Sequence, residues 1–338
     1  MKYAQVGNSG LRVSRIVYGN AITHGAQVDE PAAVACVRAA LDCGITAFDT
    51  ADLYAEGRAE EILGRALAGE RRERLVISTK AGRWARQDDP NAGRLSRKHI
   101  AESLDASLRR LGLDHVDLYQ AHRYDADTPL EETVAAFADA VRAGKAHYIG
   151  VSEWPAERIR QAARLAREAG VPLIANQAQY SALWRVIEAE VLPASREAGV
   201  GQLAWMPLAG GALTGKYRAG RRPAAGSRAG ATPGGAKSIG RWDYLNEKVL
   251  AAVADLEPLA AGAGLTLPQL ALAWVLRAPG VSAAVMGASR PEQLRENAEA
   301  VDAVLDDELL RRIDAALAPV VRSDPVLTTD PLGPAARL

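Results

Sequence analysis

An acid and a phenol stand five residues apart in Phe48-Asp49-Thr50-Ala51-Asp52-Leu53-Tyr54, directly after the apolar run from Ile45 to Phe48. A strand ending at Asp49, with Tyr54 on the loop beyond, points both polar groups into one mouth. A phenol is a poor proton donor at neutral pH unless a neighbour stabilises the phenolate. The next strand-like run, Leu75-Val76-Ile77-Ser78-Thr79, ends in Lys80, a cation able to do that. The run after it, Val116 to Ala121, ends in His122. Asp, Lys and His at three successive strand ends, with a Tyr beside the first, have the parts of an acid catalyst. Helix capping or surface pairing would account for a lone strand-end Asp or Lys, but not for four such residues in this order.

The elements that would position them repeat regularly. Residues 2–13 alternate around Asn8-Ser9-Gly10 and read as a β-hairpin that precedes the repeating pattern and plugs one end of it. Ile16-Val17-Tyr18-Gly19 is the first buried strand, and Asp29-Glu30-Pro31 opens a helix through Cys43 that Gly44 stops. Strands at 46–49, 75–80, 116–121, 146–151, 173–178, 202–206 and 282–286 then alternate with helices at 58–68, 97–111, 129–143, 155–169, 188–198, 267–277 and 291–300. Helix starts are marked by Ser96, Thr128-Pro129, Trp154-Pro155, Leu267-Pro268 and Arg290-Pro291. Eight strand–helix units predict a single (β/α)8 TIM barrel over 1–338, with catalytic groups at the strand C-terminal ends. Extra helices follow strand seven (243–262) and helix eight. Residues 218–240, rich in Gly, Pro, Ala and Arg, read as a mobile lid-like loop on the site face, and 319–338 as an irregular tail.

Composition excludes several classes of function. Lys+Arg and Asp+Glu are both 41, so nucleic acid or an anionic membrane meets no basic footprint. No apolar run approaches the ~20 residues of a membrane helix, and the N-terminus carries no signal-peptide core. Cys36 and Cys43 fall about 10 Å apart along one helix, too far for a disulfide, which fits a reducing cytoplasm. His99, His115 and His147 lack ligand spacing and no carboxylate cluster suggests a metal, so none is expected; His24 is expected near the pocket.

Nucleotide signals are mixed. No G-x-G-x-x-G opens a helix after a strand. Gly210 to Lys216 begins like a phosphate loop, but Tyr217 replaces the Ser or Thr that would hold magnesium, which excludes an NTPase. The same amides and Lys216 suit a pyrophosphate without metal. Trp205 offers a stacking face, with a core tryptophan as the simpler alternative. Arg290, entering a helix after strand eight, is placed for an isolated phosphate. Trp84, Tyr124 and Trp154 are candidates for an aromatic entrance.

With these residues in hand, the chain resembles the aldo-keto reductase superfamily, in the branch containing the potassium-channel β subunits and related bacterial reductases. The resemblance runs from about residue 3 to 316. Its stretches are GNSGLRVS, FDTADLYAEGRAEEILG, LSRKHIAESLDASLRRLGLDHVDLY, PLEETV, WMPLAGGALTGKY, LPQLALAWVL and GASRPEQLREN. It implies an NADPH/NADP+-dependent oxidoreductase that reduces an aldehyde or ketone, with Asp49, Tyr54, Lys80 and His122 as its tetrad. It also implies cofactor contacts from Gly19, Asn20 and Gln27, with Ser152, Glu153 and Gln177 at the nicotinamide carboxamide and Trp205 stacked on its ring. Met206, Pro207, Leu208, Ala209, Gly210 and Lys216 would line the pyrophosphate, with Arg228 reaching from the lid. Gly287, Ser289, Arg290, Gln293, Glu296 and Asn297 would hold the adenosine 2′-phosphate and adenine. The family usually carries Asn or Arg where Glu153 stands, and an acid accepts from a carboxamide but cannot donate to it. Several channel β subunits carry Asn in place of the tetrad histidine, so His122 favours a working catalyst over a mainly regulatory, NADP(H)-sensing subunit. A lyase forming a Schiff base on Lys80 is the non-redox alternative.

Overall fold

The computed structural model describes residues 1–82, 89–225, 227–231 and 243–328. Strands β1 (Tyr3–Gln5) and β2 (Arg12–Ser14) form the antiparallel hairpin. Eight further strands are parallel: β3 (Ile16–Gly19), β4 (Ala47–Asp49), β5 (Val76–Ala81), β6 (Val116–Ala121), β7 (Ala146–Ser152), β8 (Leu173–Gln179), β9 (Gly201–Trp205) and β10 (Val281–Met286). Strand β10 pairs with both β9 and β3, so the barrel is closed and has no edge. Helices on the outside and side chains within leave every residue of β6, β8 and β10 buried, which is why these strands read as continuous runs rather than alternations. The barrel is the one that the eight sequence units predict.

The hairpin does plug one end. Val6 and Val13 pack with Val17, Leu118, Ile174 and Leu203 inside the barrel, and Asn8 N donates to Gly199 O (2.8 Å). Each buried valine stabilises the closure by about 1.5–3 kcal/mol. Gly7 is in the left-handed region, and a Cβ there would lie 2.2 Å from Gly199 O. The plugged end is the one at which the strands begin, so the opposite rim stays open.

Helix starts follow capping chemistry, with some corrections. Asp29 accepts from Ala32 N (2.9 Å) and Ser96 from His99 N (3.3 Å). Thr128 and Trp154 do not cap: Pro129 and Pro155 are themselves the N-cap residues, so those helices run Leu130–Arg142 and Ala156–Glu168. Thr128 instead donates to Asp125 Oδ2 (2.6 Å). The helix Leu267–Leu276 starts from Thr266, whose hydroxyl and the Gln269 side chain form a reciprocal capping box. The expected helix over 243–262 is two, Glu247–Ala254 and Glu257–Gly262, because Pro258 is tolerated in a first turn but not mid-helix. The helix expected from 188 begins at Val191 after a 3-10 turn.

The tail helix Asp307–Leu317 is followed by chain that wraps the surface: Arg322 N donates to Leu183 O (3.0 Å) and Arg185 N to Arg322 O (2.7 Å). Of the loop 218–240, Arg228–Ala231 form a helical turn tied down by Ala229 N donating to the Tyr217 hydroxyl (3.2 Å). The remaining lid residues, 226 and 232–240, and the proposed entrance residue Trp84 lie outside the described residues. Trp154 is only 1% exposed and packs edge-on against Tyr124, so it belongs to the core and not to an entrance. Among the described residues, no single helix is long and apolar enough to cross a membrane.

Candidate active site

Parallel register carries successive strand ends to one rim. Asp49 aligns with Ser78, which puts Lys80 two residues on and on the same side; Ala81 aligns with Ala121, which puts His122 just past β6. Tyr54 opens a 3-10 turn, Tyr54–Gly57, in which Ala55 and Glu56 take left-handed φ of 48° and 58°. Each such residue costs roughly 1–2 kcal/mol. A buried network holds the turn down: Ser103 donates to Asp52 Oδ2 (2.8 Å), Arg110 to Glu60 (2.7 Å), and Thr79 to Glu60 (2.6 Å). Burial first, and Glu60 after it, push the Asp52 carboxyl up to about 6, against the hydrogen bond from Ser103.

Lys80 is the hub. It is fully buried, and its Nζ donates to Asp49 Oδ2 (2.6 Å), Thr50 O (2.8 Å) and the Tyr54 hydroxyl (3.3 Å). Burial pulls the ammonium down, but Asp49 and then Tyr54 outweigh it and hold it above the ordinary lysine range. A lysine kept charged is a poor nucleophile, which argues against a Schiff base. The ring of His122, itself 2% exposed, meets the Tyr54 ring edge-on at 5.7 Å and 83°. All four tetrad residues therefore come together.

The neighbouring strand ends extend this cluster. Gln177 Nε2 donates to Asp49 Oδ1 (2.9 Å), and the Ser152 hydroxyl donates to Gln177 O (2.9 Å). Glu153, in the left-handed region (φ 59°), turns its carboxylate across the rim. Its Oε1 accepts from the Trp205 indole N–H (2.5 Å) and from the Gln179 backbone N–H. The carboxylate is thus a bracket on the half-buried Trp205.

Beyond Trp205 the backbone itself forms a cradle. Met206, Ala209, Gly210 and Gly211 all have positive φ, with Pro207, Ala209 and Gly210 buried and Leu208 half-buried. Three cations converge beside it. Lys216 reaches solvent, yet the surrounding protein, then Arg228 and Arg290, pull its ammonium below the usual lysine range. Burial pushes the Arg228 guanidinium down to about 10. A cluster of like charges of this kind is relieved by a bound anion.

Gly19 and Gly287 lie where β3 and β10 touch: a Cβ on Gly287 would sit 2.9 Å from Gly19 O. Gln293 Oε1 accepts from Ser289 N (2.9 Å) and Arg290 N (3.3 Å), so this side chain is spent on starting its helix. Glu296 is exposed and Asn297 buried. Gln27 is half-buried on the loop after β3. Asn20 is 1% exposed, and its amide nitrogen is committed to Ala59 O (3.0 Å), bracing that loop. His24, on the loop after β3, is buried, bonded to the Tyr18 hydroxyl (3.1 Å), and held down to about 4 by burial.

Two residues at this rim carry no signal that the sequence reading used. Arg123 donates to His122 O (2.7 Å) and to the Ser152 hydroxyl (3.2 Å). Gln179 contributes its backbone N–H to Glu153 and its side chain to the Tyr244 hydroxyl (2.9 Å). Arg123 and Gln179 sit at strand C-terminal ends, and the barrel rule already singles out that position.

A closed eight-stranded barrel with an Asp–Tyr–Lys–His cluster at its open rim defines an oxidoreductase scaffold, and comparison with known proteins agrees. The model of the aldo/keto reductase family matches residues 15–318, and the chain belongs to that family. It is 41% identical over 334 residues to a "Probable voltage-gated potassium channel subunit beta" of Oryza sativa subsp. japonica, covering 97% of this chain and 99% of the relative. A protein of the same description from Arabidopsis thaliana is 42% identical over 308 residues, 90% of this chain and 92% of its own. A "Putative voltage-gated potassium channel subunit beta" of Schizosaccharomyces pombe is 41% identical over 320 residues, 92% of each chain.

Proposed function

We propose that the chain is an NADPH-dependent reductase of aldehydes or ketones. The observation that carries this is Lys80 Nζ standing between the Asp49 carboxylate at 2.6 Å and the Tyr54 hydroxyl at 3.3 Å. Tyr54 protonates the carbonyl oxygen, and the Lys80 ammonium, held by Asp49, stabilises the phenolate left behind. His122, beside the phenol, donates a hydrogen bond that orients that oxygen. Bound NADPH supplies the hydride. Ser152 and Gln177 hold its carboxamide, Trp205 carries its ring, and the 206–210 backbone with Lys216, Arg228 and Arg290 holds its phosphates. The crowded cations fit this assignment. The free thiols of Cys36 and Cys43 suit a reducing cytoplasm.

Tyr54→Phe tests the mechanism. Carbonyl reduction should fall by roughly 10²–10⁴-fold, while the NADPH dissociation constant changes little. Turnover near that of the wild type would overturn it. The relatives' names favour a second reading, a cofactor-sensing subunit of a potassium channel. Turnover of a carbonyl panel by the chain alone, followed as NADPH consumption, separates the two readings.

A further inference from the structure

The base of the barrel, opposite the catalytic rim, carries a second cluster of chemistry-bearing side chains. His115 immediately precedes β6, Asp117 is its second residue, and His147 is the second residue of β7. Val116 pairs with Ala146 and Leu118 with Tyr148, so Asp117 and His147 lie side by side on adjacent strands. The two-residue spacing puts His115 on the same side as Asp117. Their donor atoms all lie within 4.8 Å of one another, and the two imidazole rings are 4.4 Å apart, tilted by 32°.

Asp117 is oriented for use on one side only. Its Oδ2 accepts from Arg72 Nη2 (2.7 Å) and from Ile77 N (2.7 Å). Its Oδ1 is turned towards His147 Nδ1 at 3.5 Å, longer than a hydrogen bond. Donors that fix one oxygen and leave the other facing two imidazoles resemble the outer support of a metal ligand. The His147 side chain is 49% exposed, so its ring can turn cheaply and an ion can enter from solvent.

We propose that His115, Asp117 and His147 bind one late first-row divalent cation, of the kind that imidazole prefers, at the base of the barrel. Two nitrogens and one carboxylate oxygen suit Zn²⁺ at about 2.0–2.2 Å each, with water completing the tetrahedron. Ligands at that distance around a tetrahedral ion lie about 3.3–3.6 Å apart, so atoms now within 4.8 Å of one another would close by no more than about 1.5 Å. Ca²⁺ and Mg²⁺, which need more oxygen ligands, should not compete. Arg72 adds a positive charge nearby, so affinity is expected to be micromolar rather than that of a closed structural zinc site. The ion would clamp the starts of β6 and β7 to the 3-10 turn Arg72–Arg74, far from the tetrad.

The test uses the full chain, stripped with a chelator and titrated with Zn²⁺ by calorimetry and against a zinc-binding dye. One equivalent should bind with micromolar affinity, and thermal stability should rise with added Zn²⁺. His147→Ala and His115→Ala should each weaken binding by tenfold or more, with the stripped proteins folding normally by circular dichroism. Should His115→Ala not fold, half-exposed His147→Ala decides alone, and catalysis by the stripped form should be unchanged. No saturable binding below about 100 µM, or wild-type affinity in either variant, overturns the proposal.

Discussion

The bracket formed by Glu153 gives the sharpest prediction. Its Oε1 takes the Trp205 indole N–H at 2.5 Å and the Gln179 backbone N–H, so one carboxylate ties the ends of β7, β8 and β9 together. A hydrogen bond to a charged acceptor is worth about 1.5–3 kcal/mol. Removing the carboxylate orphans the Gln179 amide on a residue only 1% exposed, which costs about 1–3 kcal/mol more. Glu153→Ala should therefore lower unfolding free energy by roughly 2–4 kcal/mol, the half-buried indole finding water in partial compensation. A loosened stacking face forfeits about 0.5–1.5 kcal/mol of aromatic contact, or two- to tenfold in cofactor affinity. Trp205→Phe keeps a flat ring but removes the N–H, so the double variant isolates the bracket. Urea unfolding and cofactor titration on all four proteins should show the Glu153 effect shrinking once the indole N–H is gone. If the two changes add, the carboxylate acts elsewhere, for example directly on a carboxamide, and the bracket has no role in binding.

Two further outcomes are expected. Among the described residues no carboxylate pairs with Arg290, while neighbouring Glu292 lies 3.8 Å from Arg295; Arg290→Ala should weaken NADPH by about one to two decades and leave NADH almost unchanged. Equal loss for both cofactors would mean Arg290 does not read the 2′-phosphate. The Asp52 carboxyl sits above its usual value, at about 6, so its contribution to stability is complete below about pH 4 and lost as pH rises through 6. Asp52→Asn should be more stable than wild type by about 1–3 kcal/mol at pH 8 and equal to it at pH 4, measured by urea unfolding; a gap independent of pH contradicts this.

The barrel and its tetrad are legible in the sequence because both are written locally. Most strands contain a short apolar run, and Asp49, Lys80 and His122 stand at or just past the ends of three of them, with Tyr54 on the loop after the first. Caps are less legible: Thr128-Pro129 and Leu267-Pro268 look like helix starts, whereas backbone geometry places the N-caps at Pro129 and Thr266. Side-chain links between strands outside the tetrad are not legible. Glu153 and Trp205 are 52 residues apart, and nothing near either predicts that a carboxylate will bracket an indole. His115, Asp117 and His147 show no ligand spacing along the chain; only the β6–β7 register sets them side by side. Trp154 misleads in the opposite direction, since an aromatic just past a strand end suits a pocket wall and a core equally well.

Backbone strain explains why the rim in particular resists sequence reading. Among the described residues, the non-glycine positions with positive φ are Ala55, Glu56, Glu153, Met206, Ala209 and Asp243. All but Asp243 lie just beyond β4, β7 or β9 on the rim, and none lies at the plugged base. At roughly 1–2 kcal/mol each, such residues persist only where neighbours over-determine them. The neighbours are identifiable: the Asp52–Ser103 and Glu60–Arg110 contacts beneath Ala55 and Glu56, and the paired donors on the Glu153 carboxylate. Helix and strand propensities give no hint of a left-handed alanine or glutamate, because those residue types disfavour it. The base, free of such strain, is accordingly the part whose backbone the sequence describes best. The histidine pair there escapes a reading of the sequence because only the β6–β7 register brings its members together.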